Sequence, residues 1–336
     1  MAIYLVTGGC GFIGSNFVLQ EIAKGNRIVN LDSLSYAAQP ENLAGVSSRN
    51  YRFVEGDICN QALVSRLLDE EQPVAIVNFA AESHVDNSIS GPGVFIHTNI
   101  TGTYHLLEAA RAYWNNNGRN PAFRFLHIST DEVFGELAFD ENDIFTEGSP
   151  YKPNSPYSAS KAASDHLVRA WHHTYGLPAI ITNCSNNYGP HQHEEKLIPT
   201  MVRCALAGQT LPVYGKGENV RDWIYVEDHC RGIALALQKG RPGQSYCFGG
   251  RAEYRNIDLV HKICDLLDEF RPLQNGKSYR AQIGFVTDRP GHDTRYAIND
   301  DKARTELGYR PQRGFDENFR ATIQWFLSRH AEKRAA

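Results

Sequence analysis

Apolar runs alternate with amphipathic stretches through the first half of the chain. The runs at 3–7, 27–32, 51–55, 74–79, 123–129 and 178–183 are five to seven residues long, the length of buried strands. Between them, 13–24, 60–70, 98–114 and 157–174 carry apolar residues at helical spacing. Strand and helix in strict alternation predict an α/β fold, a doubly wound parallel sheet of Rossmann type whose ligand lies at the strands' C-terminal ends. From about 187 the pattern changes. Pro, Gly and aromatics become frequent (NYGPHQHEEKLIP, LPVYGKGENVRDW, DRPGHD) and the elements shorten. This predicts a smaller α/β lobe closing over the first. YVEDHCRGIALALQ (225–238) reads as a strand end and a helix returning to the main sheet. The two domains are therefore expected to interleave, 1–187 with about 220–250 against about 188–219 with 251–330.

The first turn carries chemistry. IYLVT leads into Gly8-Gly9-Cys10-Gly11-Phe12-Ile13-Gly14 and then the helical SNFVLQEIAKG. Gly8, Gly11 and Gly14 keep the three-residue spacing of a dinucleotide-binding turn, where glycine lets the backbone approach a pyrophosphate seated on a helix N-terminus. Phe12 and Ile13 lie within that turn. The second strand, RIVNLD, ends in Asp32, eighteen residues after Gly14. A carboxylate there binds the adenosine ribose hydroxyls and repels a 2′-phosphate, so NAD is expected rather than NADP. Ser33 and Ser35 follow it as cofactor-side candidates. Asp57 and Ile58, then Phe79-Ala80-Ala81-Glu82-Ser83, fall at further strand ends, towards the adenine and nicotinamide sides. Ala80 and Ala81 also suit tight helix–sheet packing. The first half thus reads as the NAD-binding domain and the second lobe as the substrate side.

Composition narrows the class. The chain has 336 residues, with 34 Lys plus Arg against 38 Asp plus Glu and net charge −4. No basic surface advertises nucleic acid. No stretch approaches the roughly 18 apolar residues that span a membrane. The chain enters a strand at once, leaving no room for a signal peptide. Seven scattered cysteines form no Cys-x-x-Cys, which predicts free thiols in a reducing cytoplasm and no cysteine-based metal site.

A second constellation follows FRFLHIS. Thr130, Asp131 and Glu132 stand at the strand's end, and Tyr157-x-x-x-Lys161 comes later. A Tyr and a Lys four apart share one helix face. The ammonium is expected to lower the phenol's pKa and make it a base towards a substrate hydroxyl. The adjacent carboxylates add an acid and a base, so oxidation is expected to be one step of several. Taken singly, Tyr-x-x-x-Lys suits surface packing and Asp-Glu suits a helix N-cap and its first turn. Lys196, Arg221, Arg289, His292 and Arg295 offer loop cations for a diphosphate. His191 and His193, two apart with no further ligand set, read as loop polarity rather than metal ligands.

The runs TGGCGFIGSNF, AAESHVDNSI, HISTDEVFG, SPYSASKAASDHLV, TNCSNNYGP, EKLIP, YGKGENVRDWIYVEDH and DRPGHDTRYAI resemble the dTDP-glucose 4,6-dehydratases, a family of the extended short-chain dehydrogenase/reductase superfamily. The similarity covers nearly the whole chain. Thr-Asp-Glu is its more specific part, since the glycine turn and the Tyr/Lys pair mark only the superfamily. The resemblance implies an NAD-dependent hydro-lyase converting a nucleotide-diphosphate hexose to its 4-keto-6-deoxy form. Tyr157 would start oxidation at C4, Glu132 remove the C5 proton and Asp131 protonate the leaving 6-hydroxyl. Thr130 would position the sugar and Lys161 hold the nicotinamide ribose. Thr98 and Asn187 would lie on the cofactor side. Ser83, His84, Asn186, Lys196, Leu197, Pro212, Tyr214, Arg221, Asn256, Arg289 and His292 would bind substrate. A homodimer is implied through the helices 98–114 and 157–174.

Two departures sit near the expected substrate region. His191-Gln192-His193-Glu194 replaces an aromatic-rich stretch with a proline, and Asn87 stands where Arg is usual. They bear on the nucleotide base or sugar more than on the reaction. The alternatives are a 4-epimerase, a decarboxylase, a UDP- or CDP-glucose dehydratase, and a non-catalytic dinucleotide sensor.

Overall fold

The computed structural model describes residues 1–46, 49–139 and 143–335. The first half runs β1 (Ile3–Thr7), α1 (Phe12–Ala23), β2 (Arg27–Asp32), β3 (Tyr51–Glu55), α2 (Gln61–Glu71), β4 (Ala75–Asn78), α3 (Val85–Ser90), α4 (Pro92–Phe95), α5 (Thr103–Asn116), β5 (Arg124–Thr130), α6 (Pro156–Tyr175) and β6 (Ala179–Cys184). Each predicted strand lies within a residue of its observed limits. The helix expected at 98–114 begins earlier, at Pro92, and passes through a wide-turn segment, Ile96–Gly102, before α5. Proline favours the first helical turn, a signal that apolar periodicity does not carry.

The second half adds β7 (Asn186–Tyr188), α7 (Leu197–Leu206), β8 (Leu211–Tyr214), β9 (Val220–Tyr225), α8 (Val226–Lys239), β10 (Ser245–Phe248), β11 (Glu253–Arg255), α9 (Asn256–Phe270), β12 (Ile283–Val286) and α10 (Phe315–Ala335). The main sheet is parallel, in the order β3-β2-β1-β4-β5-β6-β10. The order reverses between β1 and β4, and the crevice at their C-terminal ends is where such sheets bind ligands.

Alternate residues of each strand face opposite layers. Val6, Val77, Leu126 and Ile180 pack with Phe17 and Val18 of α1 and Ile233 of α8. Leu5, Val29, Ile76 and Phe125 pack with Val64 and Leu67 of α2 and Leu106 and Leu107 of α5. Full burial of one such side chain contributes roughly 1.5–3 kcal/mol, so a one-residue slip of register is excluded.

The returning helix anticipated at 225–238 is α8. Gln20 of α1 donates to Glu227 O at 3.1 Å, and β10 extends the main sheet beside β6. β9, just before α8, pairs outside that sheet, with β7 and β11. A separate core of Ile198, Val202, Trp223, Leu259, Ile263 and Phe319 joins α7, α9 and α10. Among the described residues no helix is long and apolar enough to cross a membrane.

Candidate active site

The glycine turn has the shape its spacing predicts. Gly8 lies at φ +70°, and a Cβ there would sit 2.7 Å from Ala80 N. A Cβ on Gly14 would sit 2.2 Å from Gly8 O, and one on Gly11 would press on the same carbonyl oxygen at 3.3 Å. α1 has no side-chain cap and no acid in its first turn. Its free N–H groups and positive dipole end therefore face the crevice. Asp32 at the end of β2 accepts from Cys10 N at 2.8 Å and Leu34 N at 2.9 Å, which fixes its carboxylate.

One cavity runs along these strand ends. Every cofactor-side residue named above lines it: Gly8, Gly11, Phe12, Ile13, Gly14, Asp32, Ser33, Ser35, Asp57, Ile58, Phe79, Ala80, Ala81, Ser83, Thr98, Tyr157, Lys161 and Asn187. Thr130, Asp131 and Glu132 share the lining with Asn186 and Lys196 from the second half. A cradle of glycine backbone, a free helix N-terminus and a fixed carboxylate one strand away fit NAD. Ala80 also serves the packing, since Gly8 abuts its backbone.

β5 ends at Thr130, whose hydroxyl accepts from Glu132 N at 3.3 Å and caps the single turn Asp131–Phe134. Buried Val133 and Phe134 anchor that turn. The two acids share it but differ in surroundings. Asp131 is 1 % exposed, and its Oδ2 has no partner. Burial, then Glu132 and Asp222, push its carboxyl well above the usual range. Burial raises Glu132 too, but Arg289, Arg221 and Lys196 oppose the rise. Both carboxyls are thus pushed up, Asp131 with little opposition and Glu132 against three cations.

α6 opens with a Ser155/Ser158 capping box and Pro156, and ends at Gly176. Tyr157 and Lys161 face inward one turn apart, both buried. The expected lowering of the Tyr157 phenol is not what the structure has. Burial and then Glu132 push it well above its ordinary value. Lys161 Nζ is instead turned to Ile128 O at 2.6 Å, while Tyr157 faces the two acids. Low-dielectric surroundings and two carboxylates outweigh an ammonium aimed elsewhere.

The loop cations divide. Lys196 donates to Ser83 O at 3.2 Å, and Arg289 lies 3.5 Å from Asp86. Arg221 donates to Asp293 O at 2.8 Å over the Tyr296 ring. These three converge on Glu132. Arg295 is instead paired with Glu253 at 2.8 Å. His292 bonds Asp288 at 2.7 Å near the Tyr214 ring, and Tyr214 reaches Asp86 at 3.4 Å. His84 caps α3, 3.9 Å from Glu195. Leu197 packs against the second core. Of the substrate-side candidates, Ser83, Thr130, Asn186 and Lys196 line the cavity, whereas His84, Leu197, Pro212 on β8, Tyr214, Arg221, Asn256 at the start of α9, Arg289 and His292 do not.

Several lining residues were missed by sequence reasoning, among them Ala37, Ala38, Gly56 and Glu195. Glu195 accepts from Tyr36 OH at 3.2 Å. Asp165 was missed as well, although Tyr157, Lys161 and Asp165 repeat at four-residue spacing. His191 bonds Asn42 at 2.8 Å and packs on Trp325, and Asn87 is exposed on α3. Asp57, Cys59 and His97 bring possible ligand atoms within 4.8 Å of one another. Asp57 Oδ1 there already accepts from Cys59 N at 2.8 Å.

A dinucleotide cradle joined to an acid–base pair and a buried Tyr/Lys pair defines an enzyme class, and sequence comparison agrees. The chain belongs to the family whose model, described as GDP-mannose 4,6 dehydratase, matches residues 5–322. It is 57 % identical over 331 residues to dTDP-glucose 4,6-dehydratase of Xanthomonas campestris pv. campestris (strain B100), covering 98 % of this chain and 94 % of that protein. It is 53 % identical over 335 residues to dTDP-glucose 4,6-dehydratase 1 of Escherichia coli (strain K12), covering 96 % and 92 %. Among solved structures, DesIV (dTDP-glucose 4,6-dehydratase) of Streptomyces venezuelae with NAD bound aligns at TM-score 0.89 and 46 % identity, covering 98 % of each chain. UDP-glucose 4-epimerase of Thermotoga maritima aligns at TM-score 0.85 and 27 % identity, covering 97 % of this chain and 99 % of that one.

Proposed function

We propose that this chain catalyses the NAD-dependent dehydration of dTDP-glucose to the 4-keto-6-deoxy sugar. The observation that carries the reading is the unlike setting of Asp131 and Glu132 beside Tyr157. An epimerase needs one base at C4, whereas elimination across C5 and C6 needs an acid and a base together. NAD, when bound, accepts a hydride from C4 and later returns it to C6.

Tyr157, in the phenolate form that must be reached against its raised pKa, takes the proton of the sugar's 4-hydroxyl, with Thr130 hydrogen-bonded near O4. The resulting 4-ketone acidifies the C5 proton, which Glu132 removes. Asp131, held protonated by burial, gives its proton to O6. The C6–O bond breaks, C5 and C6 become doubly bonded, and water leaves. Glu132 then returns a proton to C5 as C6 is reduced. The proton left on Tyr157 balances the one lost from Asp131. Acid–base placement of this kind contributes typically about 10²–10⁴-fold per group.

The substrate diphosphate is assigned to the cluster of Lys196, Arg221 and Arg289, with His84, Ser83, Asn186 and His292 at its margin. Leu197, Pro212, Tyr214 and Asn256 are assigned to the nucleotide base and its ribose, on the lobe that interleaves with the NAD-binding domain. Incubation with dTDP-, UDP-, CDP- and GDP-glucose tests the reading. A 4-keto product, detected by alkaline ultraviolet absorbance, is expected from dTDP-glucose above the others. An epimer or carbon dioxide in its place would sink the assignment.

The same reading includes a homodimer. Ile89, Val94, Ile96 and Tyr104 are more than 40 % exposed along α3 to α5, an apolar stripe that a two-fold partner would cover. Light scattering at micromolar concentration is expected to report twice the chain mass, and a monomer would refute it. All seven cysteines are free, which suits the reducing cytoplasm.

A further inference from the structure

Beneath the reacting groups runs a buried polar line that the steps above do not use. Thr7 Oγ1 accepts from Ala80 N at 3.4 Å and donates to Asn78 Oδ1 at 2.7 Å. The Asn78 amide therefore turns its NH₂ to His127 Nδ1 at 3.0 Å, which must be the unprotonated ring nitrogen. His127 is then the Nε2–H tautomer. That nitrogen faces Asp165 Oδ1 at 3.5 Å and Lys161 Nζ at 3.4 Å. Burial and the neighbouring ammonium keep the ring neutral.

Asp165 is 1 % exposed. Its Oδ2 accepts from Ser129 Oγ at 2.7 Å and from Tyr151 OH at 2.8 Å. Its Oδ1 has no hydrogen-bond partner and points at the His127 edge. Asp165 also lines a second cavity, with Tyr151, His166 and His172, on the side away from the glycine turn. Burial pushes the Asp165 carboxyl up and the Lys161 ammonium down, and the charge of each opposes the other's shift.

We propose that Asp165 and His127 are positioning residues: His127 turns its Nε2–H toward the Asp165 carboxylate, and that carboxylate, by its charge, holds the Lys161 ammonium one turn from Tyr157 for the first proton transfer. The claim rests on the dehydratase reading only for what Tyr157 does. Lys161 is faced by His127 of β5, Cys184 of β6 and Asp165 of its own helix. Tyr157 is faced by Asp131 and Glu132 after β5, Cys184 of β6 and Tyr36 after β2. Of the acids, only Asp165 lies on the lysine's side.

Asp165→Asn removes the charge and keeps the shape. The alkaline-rising limb of kcat is expected to move up by about one pH unit, lowering kcat near neutrality about tenfold with KM for the nucleotide sugar unchanged. In ¹⁵N-histidine spectra of the wild type, the resonance lost in His127→Asn should be a neutral Nε2–H ring that does not titrate between about pH 6 and 9. A titrating ring or an Nδ1–H tautomer would overturn this arrangement. This readout needs no turnover, so it stands or falls apart from the dehydratase assignment. A pH–rate profile unmoved in Asp165→Asn, with only a lower Tm, would make the carboxylate merely structural. Should that variant not fold, Tyr151→Phe removes one of the two hydroxyls on Asp165. It should shift the same limb the same way by less, and no shift in the folded variant would equally overturn the proposal.

Discussion

Tyr157→Phe is expected to abolish the reduced-nicotinamide absorbance in a single turnover and to lower kcat by about 10²–10⁴-fold. Its phenol alone starts the sequence, and the ring's packing against Phe95 survives the change. The acid variants should fail later and differently. Glu132→Gln should still oxidise C4 but lose exchange of the C5 proton with solvent deuterium. Asp131→Asn should oxidise and largely keep that exchange, yet expel water poorly because O6 leaves without its proton. The distinction follows from the cations around Glu132 and their weaker hold on Asp131. Should Glu132→Gln exchange C5 as fast as the wild type, the two roles are wrongly assigned.

Gly14→Ala is expected to weaken NAD binding by at least about a hundredfold, close to 2.7 kcal/mol. The new Cβ would lie 2.2 Å from Gly8 O and 2.9 Å from Gly9 Cα, both backbone. Neither can swing aside as a side chain would, so the turn must open and the pyrophosphate cradle with it. Calorimetry of the wild type should show NAD binding far more tightly than NADP, because the Asp32 carboxylate is fixed by two backbone amides. Comparable affinity for the two would remove Asp32 from the cofactor's ribose. Retained NAD affinity in Gly14→Ala would place the pyrophosphate elsewhere.

Much of the site was legible because its signals are local. Gly8, Gly11 and Gly14 are spaced by a turn's own geometry. Asp32 follows a strand of countable length, and Tyr157 and Lys161 repeat with the helix. The parallel, doubly wound sheet also followed from the alternation of strand and helix. What did not show was charge state. The sequence places Asp131 and Glu132 side by side and says nothing to tell them apart. Arg221, Arg289 and Lys196, separated by up to 93 residues along the chain, meet near Glu132 only when β9 and its neighbouring loops fold over the strand ends.

The same limit explains the phenol. A four-residue spacing puts an ammonium near Tyr157, but side-chain direction and dielectric decide what the ammonium does. Lys161 points at Ile128 O, His127 and, beyond them, Asp165, so burial and then the Glu132 carboxylate set the hydroxyl. The chain by itself determined the elements, the cofactor turn and the candidate reacting groups, because these depend on neighbours a few residues away. Tertiary structure alone decided how the surroundings of the two acids differ and what surrounds the lysine, because burial and Coulomb interactions depend on residues close in space and far apart in sequence.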